Sequence, residues 1–293
     1  MQPEDALALV RSLQDIAAAF LWGAYAFLGF LLPKQLSEDI QRRLVALKQL
    51  AIVLALLTTV LSIFLQAAVV GDGWADSLNF TVLTALVQTG FGQIWFVQCA
   101  ACAALVLRNS TPALDNSRII AVTAASILAF QSLVGHSVAQ TGMNGLVLQI
   151  SYLIHVLAAC AWVGAIIPLA LTLKRLKTQP LDQDSELALT RFSGSGFVAV
   201  TLILITGIVN TMLVLGHLPL DWSQPYERLL LIKILFFFTM VSIAALNRYI
   251  FVPRAKASYG FPAKTLIIGL ASEFAIGIVT VLSANFLGQV DPL

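Results

Sequence analysis

Residues 47–70 read LKQLAIVLALLTTVLSIFLQAAVV, a run of 24 residues with a single charge, at Lys48. A helix of that length covers about 36 Å, more than the ~30 Å hydrocarbon core of a bilayer. Comparable runs recur along the chain. The expected spans are 7–32, 47–70, 91–107, 118–138, 145–173, 191–215, 229–251 and 264–287. Composition agrees: 59% of the 293 residues are hydrophobic, 11% are charged, and the mean hydropathy is +0.89. A soluble domain is nearer a quarter charged, so lipid is the solvent this chain is built for. The expected architecture is all-α, one polytopic membrane domain of about eight helices over 1–293. Residues 80–90 are less apolar, with Gln88 and Gly90, and are expected to lie on the outer membrane surface before turning into the third span.

The basic residues set the expected orientation. Lys34, Arg42, Arg43 and Lys48 follow or flank the first link. Arg108 and Arg118 bound the third, Lys174, Arg175, Lys177 and Arg191 the fifth, and Arg248, Arg254, Lys256 and Lys264 the seventh. These are 14 of the 17 Lys and Arg residues. Cytoplasmic links carry the positive excess, so both termini are expected on the outer side of the membrane. The net charge of +2 is spread between spans with no basic stripe, which gives no nucleic-acid signal. Glu4 and Asp5 stand where a secretory leader would be basic, so the first span is expected to remain in the mature protein. No sustained repeat is visible. Pairs such as Trp22–Gly23 and Gly164–Ala165 are read as places where helix backbones approach.

Polar side chains at membrane depth are costly and mark candidate sites. All three histidines fall in the expected outer half: His136 at the end of the fourth span, His155 about ten residues into the fifth, and His217 after the sixth. Imidazole nitrogen with the thioether of Met143 suits copper in either oxidation state. The alternative reading makes His136 and His217 interfacial helix-end residues and His155 a hydrogen-bonded interior residue. Trp162 is seven residues after His155, so its indole shares a helix face about 10.5 Å further in. Cys99 and Cys102 share a face at i, i+3, and Cys160 lies at similar depth. They read either as a soft Cu(I) path or as buried apolar thiols. Met212 and Met240 read as packing. Glu273 is expected to be protonated or paired with Arg191 or Arg248, with Asn247 in the same inner cluster. Lys233 lies near the outer interface and reads as a snorkelling residue.

Gly135-His136-Ser137, then Leu153-Ile-His155 continuing to Trp162-Val-Gly164, resembles the signature of the copper resistance protein D family. Arg191-Phe192-Ser193, Thr206-Gly207, Arg228 to Lys233, Asn247-Arg248 with Pro253, and Glu273 with Pro292 resemble that family's later helices. Arg11 and Gly23 extend the likeness to the start of the chain. It implies a multi-spanning inner-membrane protein that takes copper inward, often beside a periplasmic copper-binding partner. It points to His136 and His155 as copper contacts, with Trp162, Arg248 and Glu273 as family positions. The chain departs from the pattern at Tyr152, where an acidic residue is expected, at Gly164-Ala165 instead of two glycines, and at Gln14, where some relatives carry histidine.

Two functional readings follow. In the first, copper (Cu+ or Cu2+) enters through His136, His155 and Met143. In the second, the chain is a b-type haem electron carrier with His136 and His155 or His217 as axial ligands. A structural or sensory metal-binding subunit is a third. Neither a nucleophile–base arrangement nor a phosphate-binding glycine loop is present in the sequence, and no enzymatic activity is expected.

Overall fold

A computed structural model describes residues 1–110, 116–133, 142–175, 183–251, 263–288 and 290. These residues form a bundle of helices, with no strand among them. In chain order they are α1 (Pro3–Ala26), α2 (Lys34–Val70), α3 (Phe80–Val87), α4 (Gly90–Asn109), α5 (Ser117–Gln131), α6 (Gly142–Arg175), α7 (Gln183–Leu215), α8 (Pro225–Leu246) and α9 (Ala263–Leu287). Helices α1 and α8 each run on into one π-helical turn, Phe27–Leu31 and Asn247–Phe251.

Seven of these helices are long and apolar enough to cross a bilayer. The expected fourth span is represented by α5, whose 15 residues cover about 22 Å. The helix ends in a turn at Ser132 and Leu133, and the rest of the expected stretch, 134–138, lies outside the described residues. With Ile120, Ala121, Ala124, Ile127 and Leu128 buried, α5 packs against α1 and α4 as an interior helix.

Three helices outrun the spans expected from hydropathy. Pro33 cannot continue α1 and stands as the N-cap of α2, which therefore begins at Lys34 and reaches about 55 Å. Leu36, Ile40 and Leu44 are buried at a four-residue spacing, so the stripe that faces α1 continues through what hydropathy marks as a link. Lys48 is buried too, at 3% exposure. Likewise α6 starts at Gly142, where φ is +72°, and α7 starts eight residues before Arg191.

Helix α1 lies at the centre, against α2, α5, α6 and α9. Ala17, Ala18, Ala19, Leu21, Ala24 and Tyr25 are all buried in the main core. It meets α6 backbone to backbone. A Cβ added at Gly23 would stand 2.7 Å from the Gly164 Cα, and one at Gly164 would stand 2.0 Å from the Ala19 carbonyl oxygen. Glycine is required at this crossing, as the sequence suggests. The Trp22 indole nitrogen donates to the Leu157 carbonyl (2.9 Å) and fixes the same pair of helices.

Residues 80–87 form a short helix distinct from α4, consistent with the expected turn into the third span. Asn79 caps α3 and Thr89 caps α4 through their side-chain oxygens. In the link before α3, the backbone N–H of Asp72 and the Asn79 amide both donate to the Asp76 carboxylate. They hold it below the ordinary carboxylate range, the Asp72 bond being the larger cause.

Candidate metal-handling site

The outer part of the α6–α7 pair carries the best-defined polar arrangement. Thr206 of α7 is buried, and its hydroxyl donates back to the Leu202 carbonyl, a common way for a threonine to satisfy itself inside a helix. His155 Nδ1 lies 2.9 Å from that same oxygen. A hydroxyl has one proton, and here it is committed to Leu202, so the imidazole must be the donor. The ring therefore carries hydrogen on Nδ1, leaving the Nε2 lone pair without a proton. This is the state in which a histidine binds a metal, with its other nitrogen held by an outer partner. Ser151, one turn before His155, donates to the Thr206 carbonyl (3.3 Å) and braces the same contact. Lys233 of α8 is partly buried and lies within electrostatic range of the ring.

The antiparallel register carries the arrangement inward. Moving seven residues along α6 from His155 gives Trp162, and moving seven back along α7 from Thr206 gives Ala199. Trp162 and Ala199 indeed pack in one cluster with Ala158, Val163, Ile203 and Met240. Trp162 is 5% exposed, so the imidazole and indole share the interior face that their spacing implies. Met240 is a packing residue, as the sequence suggests.

The other candidates are not gathered around His155. His136, with Gly135 and Ser137, lies outside the described residues. Met143 stands in the first turn of the same continuous helix, twelve residues before His155, so about 18 Å separates them along the axis. It is 74% exposed at the outer end and cannot share one coordination sphere with His155. His217 follows Thr206 by eleven residues, roughly 16 Å further out. The haem reading also needs His136, which lies outside the described residues. His217 instead meets the Leu218 carbonyl through Nδ1 (2.9 Å), and its Nε2 stands 3.9 Å from Glu227 Oε1.

Cys99 and Cys102 are neighbours on α4. Cys102 is fully buried, with its sulfur 3.5 Å from the Thr59 hydroxyl. Cys160 sits on α6, where its carbonyl flanks the Gly23 crossing. Among the described residues no three His, Cys, Asp or Glu side chains come together as a metal cluster.

Glu273 is 2% exposed on α9, and of the residues expected around it Asn247 is the one that meets it, while Arg191 and Arg248 bond elsewhere. The Asn247 amide donates to Glu273 Oε1 at 2.7 Å. Gly269 makes room for this, since a Cβ there would meet Asn247 Oδ1 at 2.5 Å. Each arginine instead donates to a backbone carbonyl of another helix. Arg248 donates to the Ser193 carbonyl (3.0 Å) and stacks over Tyr249, while Arg191 donates to the Leu31 carbonyl (3.2 Å). Leu31 closes the π-helical turn after α1, and a helix C-terminus leaves carbonyls unpaired and favours a cation such as Arg191, whereas Ser193 lies inside α7.

A second membrane-depth carboxylate, Asp15, is not among the candidate residues singled out from the sequence. Asn285 of α9 donates to Asp15 Oδ2 (2.8 Å), tying the first long helix to the last. One turn outward, Arg11 donates to Gln66 Oε1 (2.9 Å). On the other side of α1, buried Gln14 donates to Thr59 (2.9 Å), which also meets Cys102. The signal was present: Asp15 falls inside the apolar run that begins at Leu7.

Two family models match the chain. Residues 2–146 match "Copper resistance protein D-like, N-terminal domain", and residues 186–287 match "Copper resistance protein D". The chain is 28% identical to "Inner membrane protein YebZ" of Escherichia coli (strain K12), over 97% of each chain. It is 25% identical to "Copper resistance protein D" of Pseudomonas syringae pv. tomato over 82% of its length and 81% of the relative's. It is 28% identical to "Copper transport protein CutJ" of Bacillus subtilis (strain 168), over 73% of its own length and 39% of the longer protein's. No solved structure matches.

Proposed function

Because this chain belongs to the copper resistance protein D family and is a multi-pass protein of the inner membrane, we propose that it binds copper on the periplasmic side and carries it inward. The observation that carries this reading is the His155–Thr206 contact. It leaves an unprotonated imidazole nitrogen at membrane depth, and a neutral imidazole is a ligand copper accepts in both oxidation states.

On this reading His136 and Met143 are outer contacts that receive the ion before His155. His217, beside Glu227, is a further outer contact on the neighbouring link. The separations along α6 suit a succession of sites better than one closed cage, and weak successive sites let an ion leave as well as enter. Cys102 and Cys160 are soft donors deeper in the bundle, and Trp162 keeps the region inward of His155 apolar. The positive-inside bias of the links supports periplasmic termini, which puts the histidines where a periplasmic copper-binding protein can deliver the ion. The sequence relatives named for copper resistance and copper transport support the same cargo.

Cells expressing the protein or its His155→Ala variant at equal membrane abundance are compared for copper accumulation. The proposal requires lower accumulation in the variant, and equal accumulation overturns it.

A further inference from the structure

An apolar groove of about 180 Å³ runs along the inner half of α1, between α6 and α7. Gly23 and Trp162 line its deep end and Phe30 and Phe192 its mouth. Gly23 to Phe30 is seven residues, so the groove follows α1 for about 10 Å roughly along the direction of a lipid chain. Its openness comes from glycine and alanine: Gly196 and Ala199 on α7 leave space that larger residues would fill.

The mouth is positively charged. Arg191, adjacent to Phe192, donates to the Leu31 carbonyl, and Arg118 donates through Nε to the Gly29 carbonyl (2.8 Å). Arg118 also stacks over the Phe30 ring at 5.4 Å. These contacts cap the open carbonyls of the π-helical turn. They use one N–H of the five each guanidinium owns. No carboxylate pairs with either arginine among the described residues. The result is an apolar slot whose mouth residues Phe30 and Leu31 are each touched by an arginine with spare donors and, among the described residues, no carboxylate partner. Basic pockets between helices on the cytoplasmic side suit anionic headgroups, and guanidinium suits phosphate.

We propose that this groove is a binding site for an anionic phospholipid of the inner leaflet. Its phosphate lies between Arg118 and Arg191, and one acyl chain runs up the groove to Trp162. The inference rests on residues other than His155 and shares only Trp162, at the deep end of the groove, with the copper reading.

The test is native mass spectrometry of the full chain reconstituted in equal parts phosphatidylglycerol and phosphatidylethanolamine, then released. Wild type is expected to retain phosphatidylglycerol preferentially. Arg118→Gln/Arg191→Gln is expected to lower that preference about tenfold or more. Gly196→Leu keeps both arginines and places a side chain in the groove, where a Cβ meets nothing within 4 Å. It is expected to lose the retained lipid, and it decides the matter if the double variant does not fold. Retention of the two lipids in the proportion supplied by wild type, or unchanged phosphatidylglycerol retention in Gly196→Leu, would overturn the proposal.

Discussion

His155 Nδ1 lies 2.9 Å from Thr206 Oγ1, and the only proton of that hydroxyl is given to Leu202. Two helices thereby fix the tautomer of one histidine. Thr206→Val keeps the shape and removes the acceptor, so the ring loses the partner that holds its proton on Nδ1. Thr206→Ser keeps the acceptor. In a competition titration with a chromophoric Cu(I) chelator, Thr206→Val is expected to bind copper about 10–100-fold more weakly and Thr206→Ser close to wild type. Nitrogen-15 spectra of the labelled histidine, recorded without metal, are expected to show Nδ1–H in wild type and a mixture of tautomers in the valine variant. An unchanged affinity and tautomer in Thr206→Val would leave the threonine a packing residue.

The Gly23–Gly164 crossing admits no side chain on either helix. Gly164→Leu is expected to destabilise the protein by about 3 kcal/mol or more, because the added Cβ meets backbone that can yield only by separating α1 from α6. Gly196→Ala adds its methyl to open space and is expected to be neutral to within about 0.5 kcal/mol. Thermal unfolding of the detergent-solubilised variants measures both.

Asn247 satisfies a carboxyl group that is 2% exposed on α9. Asn247→Leu removes the donor and leaves Glu273 buried without it, at an expected cost of about 1–3 kcal/mol. Glu273→Gln preserves a carbonyl oxygen for Asn247 and is expected to cost less than that. The comparison is read from thermal melts in one detergent. Equal losses in the two variants would show that the hydrogen bond is not what holds α8 to α9.

Much of this fold is legible in hydropathy, because runs such as 47–70 have no soluble alternative. What hydropathy misses is helix that continues beyond the lipid. Leu36, Ile40 and Leu44 form a narrow buried stripe among charged neighbours, so 34–46 reads as a polar link although it is helix. The spacing of His155 and Trp162 puts them on one face of α6, and both look onto α7, His155 at Thr206 and Trp162 beside Ala199. The Asn247–Glu273 neighbourhood is also legible, although which residue of the cluster bonds the carboxyl group is not. Charge complementarity also offers an arginine, but Arg191 and Arg248 are engaged by the backbone carbonyls of Leu31 and Ser193. Asp15 was missed because its partner, Asn285, is 270 residues away, and no local pattern joins them.

The most direct test of copper binding at His155 is the copper content of the purified protein after loading with Cu(I) and desalting, wild type beside His155→Ala, by elemental analysis. The account predicts near-stoichiometric copper in wild type and a substantial loss in the variant. Equal copper in the two proteins, or none in wild type, would contradict it.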